Sequence, residues 1–276
     1  MIGDIKQLLS QARSQISAVP AFNVDSVDMA LAVIEAAEQS DTGIIIQVTA
    51  DTLNIWGWQF LSRTLLSLAQ DATIPVALML DHAKRFEDIQ RAIDLGFRAV
   101  MFDGSALPLS ENIEATRSVV AYAYPLECFV EGEVGHVARA GEPPEWEHLT
   151  TVDEASEYVE ATKVGALAVA VGSKHGEYRN PEDIKVERVH EIYAALRLPL
   201  VLHGGSGMPP QLLAPVIRGG ITKINVGTEL RHTWWDGIDQ SHHAKPREAL
   251  LTARFKVQKR ALELIEQFKP RFGEEQ

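Results

Sequence analysis

Pro199-Leu200-Val201-Leu202-His203-Gly204, then a stretch with helical periodicity, then Ile221-Thr222-Lys223-Ile224-Asn225-Val226-Gly227, is a strand–helix–strand unit written out in sequence. Both runs are apolar without a break, as expected of parallel strands buried on both faces. Working outward, the same alternation recurs along the chain. The further runs are Ala18 to Val24, Gly43 to Val48, Pro75 to Asp81, Ala99 to Asp103, Glu127 to Val134 and Ala166 to Gly172. That makes eight, at intervals near the ~30 residues of a βα unit, in a chain close to the ~250 residues typical of a (β/α)8 barrel. The expected fold is therefore an α/β TIM barrel, a single domain over residues 1–276 with C-terminal helices.

Helix punctuation fits between the runs. Ser110 precedes Ile113, Thr116, Val119 and Val120 on one face, and Thr151 with Glu154 has the spacing of a capping box. Gly96 is placed to close the helix holding Phe86, Ile89 and Ile93, and Gly165 the one holding Ala155, Tyr158 and Val159. No Pro, Gly or Ser linker divides the chain. Residues 138–150 are too polar and proline-rich for helix or strand, and long barrel loops of this kind often act as lids. From Thr228 onward the chain reads mostly as helix, interrupted near Gly237 to Pro246, with a frayed tail.

Composition narrows the function. The chain has 276 residues, 46% hydrophobic and 23% charged, which suits a buried interior and excludes general disorder. Lys and Arg total 26 against 38 Asp and Glu, a net charge of −12, so neither nucleic acid nor an anionic membrane is an expected partner. The one cysteine, Cys128, excludes a disulfide framework. No run reaches the ~20 apolar residues of a membrane span, and the N-terminus lacks a signal-peptide pattern, so the expected location is the cytoplasm.

Reactive groups of such barrels collect where strands end at the C-terminal face. Asp81 and His82 end the third run, Asp103 the fourth, and Glu131 and Glu133 the fifth. His175 lies just past the sixth, and His203 ends the seventh. A single histidine at a strand tip is usually structural. Three that converge beside carboxylates are the donors a catalytic Zn2+ uses, three protein ligands with a position left open. His148, His190, His232, His242 and His243 take the structural reading. Asp81 and His82 are neighbours, so both face inward only if the strand breaks there. Asp81 is then either an acid–base group or a helix cap.

The second constellation is glycine-rich. His203-Gly204-Gly205-Ser206-Gly207 follows the seventh run and Asn225-Val226-Gly227-Thr228 the eighth. Loops after strands seven and eight commonly bind phosphate through backbone N–H groups and a helix N-terminus. A metal beside a phosphate site on an acidic barrel points to a small phosphorylated metabolite as substrate.

These motifs resemble the class II, zinc-dependent fructose-bisphosphate and tagatose-bisphosphate aldolases. Pro20-Ala21-Phe22-Asn23, Leu80-Asp81-His82, Phe102-Asp103-Gly104-Ser105, Val130-Glu131-Gly132-Glu133-Val134-Gly135, Ala170-Val171-Gly172-Ser173-Lys174-His175-Gly176, Leu202 to Gly207 and Lys223 to Thr228 follow the family's order. The likeness runs from the first strand to the last helix, where Pro246-Arg247-Glu248-Ala249 also matches. It implies Zn2+ on His82, His175 and His203, with Asp103, Glu131 and Glu133 as outer or alternate ligands, and a monovalent cation (Na+ or K+) nearby. Asp81 would protonate the aldehyde oxygen during condensation, and Glu142 would remove the donor's proton. Gly176, Gly204, Gly205, Ser206, Asn225, Val226, Gly227 and Thr228 would hold dihydroxyacetone phosphate, and Asn23 and Thr49 would also bind substrate. Arg247 would either help bind the acceptor's phosphate across a subunit interface, in a homodimer or homotetramer, or form a surface salt bridge. The implied reaction is reversible cleavage of a ketose 1,6-bisphosphate into dihydroxyacetone phosphate and an aldehyde such as glyceraldehyde 3-phosphate.

The chain departs from the family at four places. Met79 stands where His is common, Ala83 where Gly is common, and Lys174 where the residue is usually small. Arg139-Ala140-Gly141-Glu142-Pro143-Pro144 replaces a Gly-Gly-x-Glu-Asp-like run. Other readings are a Schiff-base aldolase using Lys174 or Lys223, a zinc hydrolase, and an inactive barrel that binds a sugar phosphate.

Overall fold

The computed structural model describes residues 1–135, 148–173, 184–241 and 245–269. Each of the eight predicted runs contains a strand: β1 (Val19–Asn23), β2 (Ile44–Thr49), β3 (Val76–Ala83), β4 (Ala99–Phe102), β5 (Phe129–Val134), β6 (Ala166–Val169), β7 (Leu200–Leu202) and β8 (Ile221–Val226). They pair in parallel and in chain order, and β8 returns to β1 to close the barrel. Closure leaves no strand edge exposed. Helices alternate with them: α1 (Ile5–Ser14), α2 (Val27–Gln39), α3 (Ala50–Trp56), α4 (Trp58–Asp71), α5 (Phe86–Asp94), α6 (Leu109–Ala123), α7 (Val152–Thr162), α8 (Val186–Leu196), α9 (Pro210–Gly219), α10 (Thr228–Asp239) and α11 (Pro246–Phe268). No helix among the described residues is long and apolar enough to cross a membrane.

The apolar runs conceal a period of two. Outward residues such as Ile44, Ile46, Leu78, Leu80, Val130, Ile224 and Val226 pack with the helices in one core. Inward residues of the lower strands form a second core: Val19, Ala21, Ile45, Ala77, Met79, Ala99, Met101, Phe129, Ala166, Ala168 and Val201. Ile5, Leu8, Leu9 and Ala12 of α1 join that core and plug the N-terminal end of the barrel. Burial of each larger side chain there contributes about 1.5–3 kcal/mol. Higher along the same inward rows the residues turn polar: Asn23, Gln47 and Thr49, Asp81, Glu131 and Glu133, Lys223 and Asn225. The stacking of inward side chains in layers thus converts strand position into depth below the mouth.

Local signals were mostly as read. Thr151 and Glu154 form the expected capping box, and Gly96 follows α5 with φ 101°. Two assignments need correction. Ser110 lies inside the first turn of α6, whose N-cap is Pro108. Lys163, in the left-handed region at φ 59°, terminates α7. Gly165 instead answers a packing need, since a Cβ there would meet Phe129 Cε2 at 2.4 Å. Cys128 is a free, buried thiol.

Candidate active site

A kink in β3 creates the centre of the site. Its pairing with β4 shifts register between Leu80 and Ala83, and His82 adopts φ 48°. A left-handed non-glycine residue costs about 1–3 kcal/mol. The kink satisfies the condition set by adjacency, because Asp81 and His82 now both face the barrel axis. The two sit opposite His203, just past β7, whose ring centroid is 4.7 Å from that of His82. One ligand atom from each of Asp81, His82 and His203 falls within 4.8 Å of the others, and the same holds for His82, Asp103 and Glu133.

Each imidazole is aimed by a carboxylate. His82 Nδ1 lies 3.0 Å from Asp103 Oδ2, and Ser105 Oγ donates to Asp103 Oδ1 at 2.6 Å. His203 Nε2 lies 3.1 Å from Glu131 Oε1, while Lys223 Nζ donates to Glu131 Oε2 at 2.7 Å. In both pairs the second ring nitrogen is left on the side of the shared cluster, the arrangement by which carboxylates orient metal-binding histidines. Glu133 Oε2 lies between the rings, 3.8 Å from His82 Nδ1 and 3.7 Å from His203 Nδ1. It is buried and has no hydrogen-bond partner among the described residues.

The electrostatics ask for positive charge. Among the described residues, Asp81, Asp103, Glu131 and Glu133 share the buried space with one lysine, Lys223. Burial alone would lower the pKa of His82, but the charge of Asp81 and the bond to Asp103 outweigh it and push the imidazole up to about 9. Burial and the charge of Asp103 push Glu133 up to about 8. Burial lowers His203, keeping it neutral. Asp103 and Glu131 stay below the ordinary carboxylate range against burial, through His82 in the first case and chiefly Lys223 in the second. The donor set is thus rich in oxygen anions and imidazole nitrogens and takes up protons for want of cations. A divalent metal ion fits it. Binding there would release a proton from His82, so affinity for a metal is expected to weaken as pH falls.

Asp81 is 2% exposed and held at both oxygens. Asn23 Nδ2 donates to Oδ2 at 2.7 Å and Gln47 Nε2 to Oδ1 at 2.8 Å. Burial pushes its pKa up, yet the His82 and Lys223 charges and the Asn23 bond hold it below the usual value, and the group is ionised. Asp81 does not cap α5, whose N-cap is Arg85. Gln47 was not singled out from sequence, although its polarity inside an otherwise apolar run, Ile44 to Val48, is the signal that marks it.

A cavity of about 640 Å³ opens above this cluster, lined by Asn23, Thr49, Asp81, His82, Gly204, Ser206, Asn225, Gly227 and Thr228 among others. The β7 and β8 loops are tied together beside it. Ser206 Oγ accepts from the N–H groups of Gly227 (3.3 Å) and Glu229 (3.2 Å), and Gly205 N–H donates to the Asn225 carbonyl at 2.9 Å. Gly204 and Gly207 both take φ 71°, and a Cβ on Gly205 would meet Ile224 Cγ2 at 2.3 Å. Three N–H groups are therefore spent on holding the loops. The Asn225 amide is 5% exposed, and neither its Oδ1 nor its Nδ2 has a partner among the described residues. An unbonded buried amide costs free energy unless a ligand supplies its partners.

Several expected residues are not among those described at the mouth. Glu142, Lys174, His175 and Gly176 fall outside the described residues, as do His242, His243, the tail and nearly all of the expected lid. Arg247 is 73% exposed at the start of α11 and does not line the mouth of its own chain; the contact expected of it is with another copy, across a subunit interface. Lys223 is wholly buried on Glu131. His148, at the end of the expected lid, pairs with Glu154 at 2.8 Å. A second cavity, about 760 Å³, lies at the N-terminal end of the barrel and includes Lys6, Arg98 and Cys128, but among the described residues it holds no comparable donor cluster.

Comparison with known proteins agrees with this fold. The family model described as fructose-bisphosphate aldolase class-II matches residues 3–271. The sulfofructosephosphate aldolase of Alkalicoccus urumqiensis is 34% identical over 247 residues, 88% of this chain and 86% of that protein. The 6-phospho-5-dehydro-2-deoxy-D-gluconate aldolase of Shouchella clausii is 35% identical over 270 residues, 95% and 92% of the two. The crystal structure of the YdjI aldolase from Escherichia coli K12 superposes with a TM-score of 0.89 at 32% identity, covering 98% of each chain.

Proposed function

Because the chain belongs to the class II fructose-bisphosphate aldolase family, and so is a carbon–carbon lyase, we propose that it cleaves a phosphorylated ketose reversibly into dihydroxyacetone phosphate and an aldehyde. The substrate class proposed is a ketose 1,6-bisphosphate of the fructose or tagatose type or a close relative. Named relatives act on phosphorylated sugars, which supports this choice. The observation that carries the reading is the meeting of His82, His203 and ionised Asp81 in one mouth beside the unbonded Asn225 amide.

Under this proposal His82, His203 and His175 hold Zn2+, with Glu133 as an alternate ligand and Asp103 and Glu131 fixing the rings. Bound there, the ion supplies Lewis acidity toward a carbonyl oxygen next to the carbon that loses its proton. Asp81 does the proton work at the other carbon. Its ionised Oδ1/Oδ2 pair, aimed by Gln47 and Asn23, accepts the hydroxyl proton as the carbon–carbon bond breaks and returns it to the aldehyde oxygen in condensation. Glu142 is the proposed base for the donor's carbon. Gly204 to Ser206 and Asn225 to Thr228 hold the donor and its phosphate, which fixes the reacting carbons over Asp81.

The test is a cleavage panel of ketose 1,6-bisphosphates and ketose 1-phosphates with release of dihydroxyacetone phosphate as the signal. Cleavage should vanish on treatment with EDTA and return with Zn2+. Turnover that survives thorough metal removal would defeat the proposal, and so would tight ligand binding with no turnover across the panel.

A further inference from the structure

We propose that Lys84 binds an anionic group at the end of the substrate remote from its 1-phosphate, and so selects the acceptor aldehyde; this rests on the aldolase reading above. Lys84 follows β3 directly and lines the mouth together with Asp81 and His82. Among the described residues, two other long cations line the same mouth, Arg85 and Arg231. Both are already engaged. Arg231 pairs with Asp25, and Arg85 Nε lies 3.5 Å from Glu87 Oε2 and 4.0 Å from Asp88 Oδ2. Lys84 has no acidic partner among the described residues.

Position around the barrel gives this cation its role. In the closed order β1 to β8, β3 stands diametrically opposite β7 and three strands from β8. A donor phosphate on the β7 and β8 loops therefore lies across the mouth from Lys84, with Asp81 and His203 between. A ketose lying across that span, its breaking bond over Asp81, brings its far end to the tip of β3. If that end is a neutral hydroxyl, the ammonium stays hydrated and contributes little. If it is a phosphate, sulfonate or carboxylate, the ammonium makes a charge-assisted hydrogen bond to it. The chain carries a net charge of −12, and Asp51 lines the same mouth, so an anionic tail is repelled unless a local cation receives it.

The test compares condensation of dihydroxyacetone phosphate with glyceraldehyde 3-phosphate and with uncharged glyceraldehyde. In Lys84→Met the ratio of kcat/KM, charged over uncharged acceptor, should fall roughly 10- to 100-fold, the range for a lost hydrogen bond to a charged group. Lys84→Arg should keep most of the ratio. Three-carbon aldehydes ending in sulfonate or carboxylate show which anion gains most from the lysine. A ratio unchanged within about twofold would overturn the assignment, whatever happens to the absolute rates. A binding arm separates this proposal from the reaction itself. Calorimetry with a hexitol 1,6-bisphosphate and a hexitol 1-phosphate should show that the wild type prefers the bisphosphate and that Lys84→Met has lost the preference. No wild-type turnover with any aldehyde would sink the aldolase reading alone. A preference missing in the wild type, or retained in the variant, would sink the role of Lys84.

Discussion

Replacing Asp81 with Asn should lower kcat for cleavage by roughly 10²- to 10⁴-fold, the usual contribution of a positioned acid–base group. The loss should appear equally in kcat/KM, because the interaction removed exists only in the transition state. The substitution is nearly isosteric, but an amide cannot accept the hydroxyl proton. It also cannot accept from both Asn23 and Gln47, which now hold the two carboxylate oxygens at 2.7 and 2.8 Å. Asn23→Ala gives a graded companion result. The Asn23 bond is one of the forces holding the Asp81 pKa down, so its removal moves that pKa up. The acidic limb of the cleavage pH profile should then shift to higher pH, with a smaller loss of kcat than in Asp81→Asn. A full-rate Asp81→Asn enzyme would remove Asp81 from the mechanism.

The second large effect is on stability. Lys223 and Glu131 are both 0% exposed and bonded at 2.7 Å inside the barrel. Lys223→Met strands a carboxylate in a low-dielectric interior, at an expected cost of roughly 3–5 kcal/mol. For a chain of this size each kcal/mol lowers Tm by about 2–4 °C, so a fall on the order of 10 °C is expected in a thermal scan. The double variant Lys223→Met/Glu131→Leu should recover much of that loss, since no charge is left unpaired. The acid side has a definite sign. Burial opposes ionisation of Glu131, but the Lys223 charge and the His203 bond outweigh it and hold its pKa below the ordinary carboxylate value. Its contribution is therefore present above that ordinary value and lost as pH falls through the lowered one. Lys223→Met should blunt this acid sensitivity, and a variant as stable as the wild type would show that the pair contributes nothing.

Residue type and order at strand ends disclosed the barrel and much of its mouth. Asp81, His82, Asp103 and His203 could be picked out because each ends or follows an apolar run, and the barrel rule sends such residues to one face. Depth was harder to read. Glu131 and Glu133 looked like equal tips of one strand, yet inward alternation sets Glu131 a layer below Glu133, where it meets Lys223 and not solvent. The kink at His82 depends on strand register against β4, which spacing within β3 does not encode. Gln47 sits in the middle of its run and becomes a partner of Asp81 only because β2 and β3 pair Gln47 with Met79, one inward step below. Ser110 and Gly165 were misjudged for a related reason. Capping depends on the backbone angles of neighbouring residues, and at Gly165 packing against Phe129 decided the residue.

The imidazoles of His82 and His203, drawn from strands on opposite sides of the barrel, are expected to bind one divalent ion. Anomalous diffraction at the zinc absorption edge reads this directly. A single peak at the mouth, about 2.0–2.1 Å from a ring nitrogen of each histidine, is the expected result. A well-ordered crystal of zinc-supplemented protein with no peak between those rings, or with its only peak at another place on the chain, would contradict it.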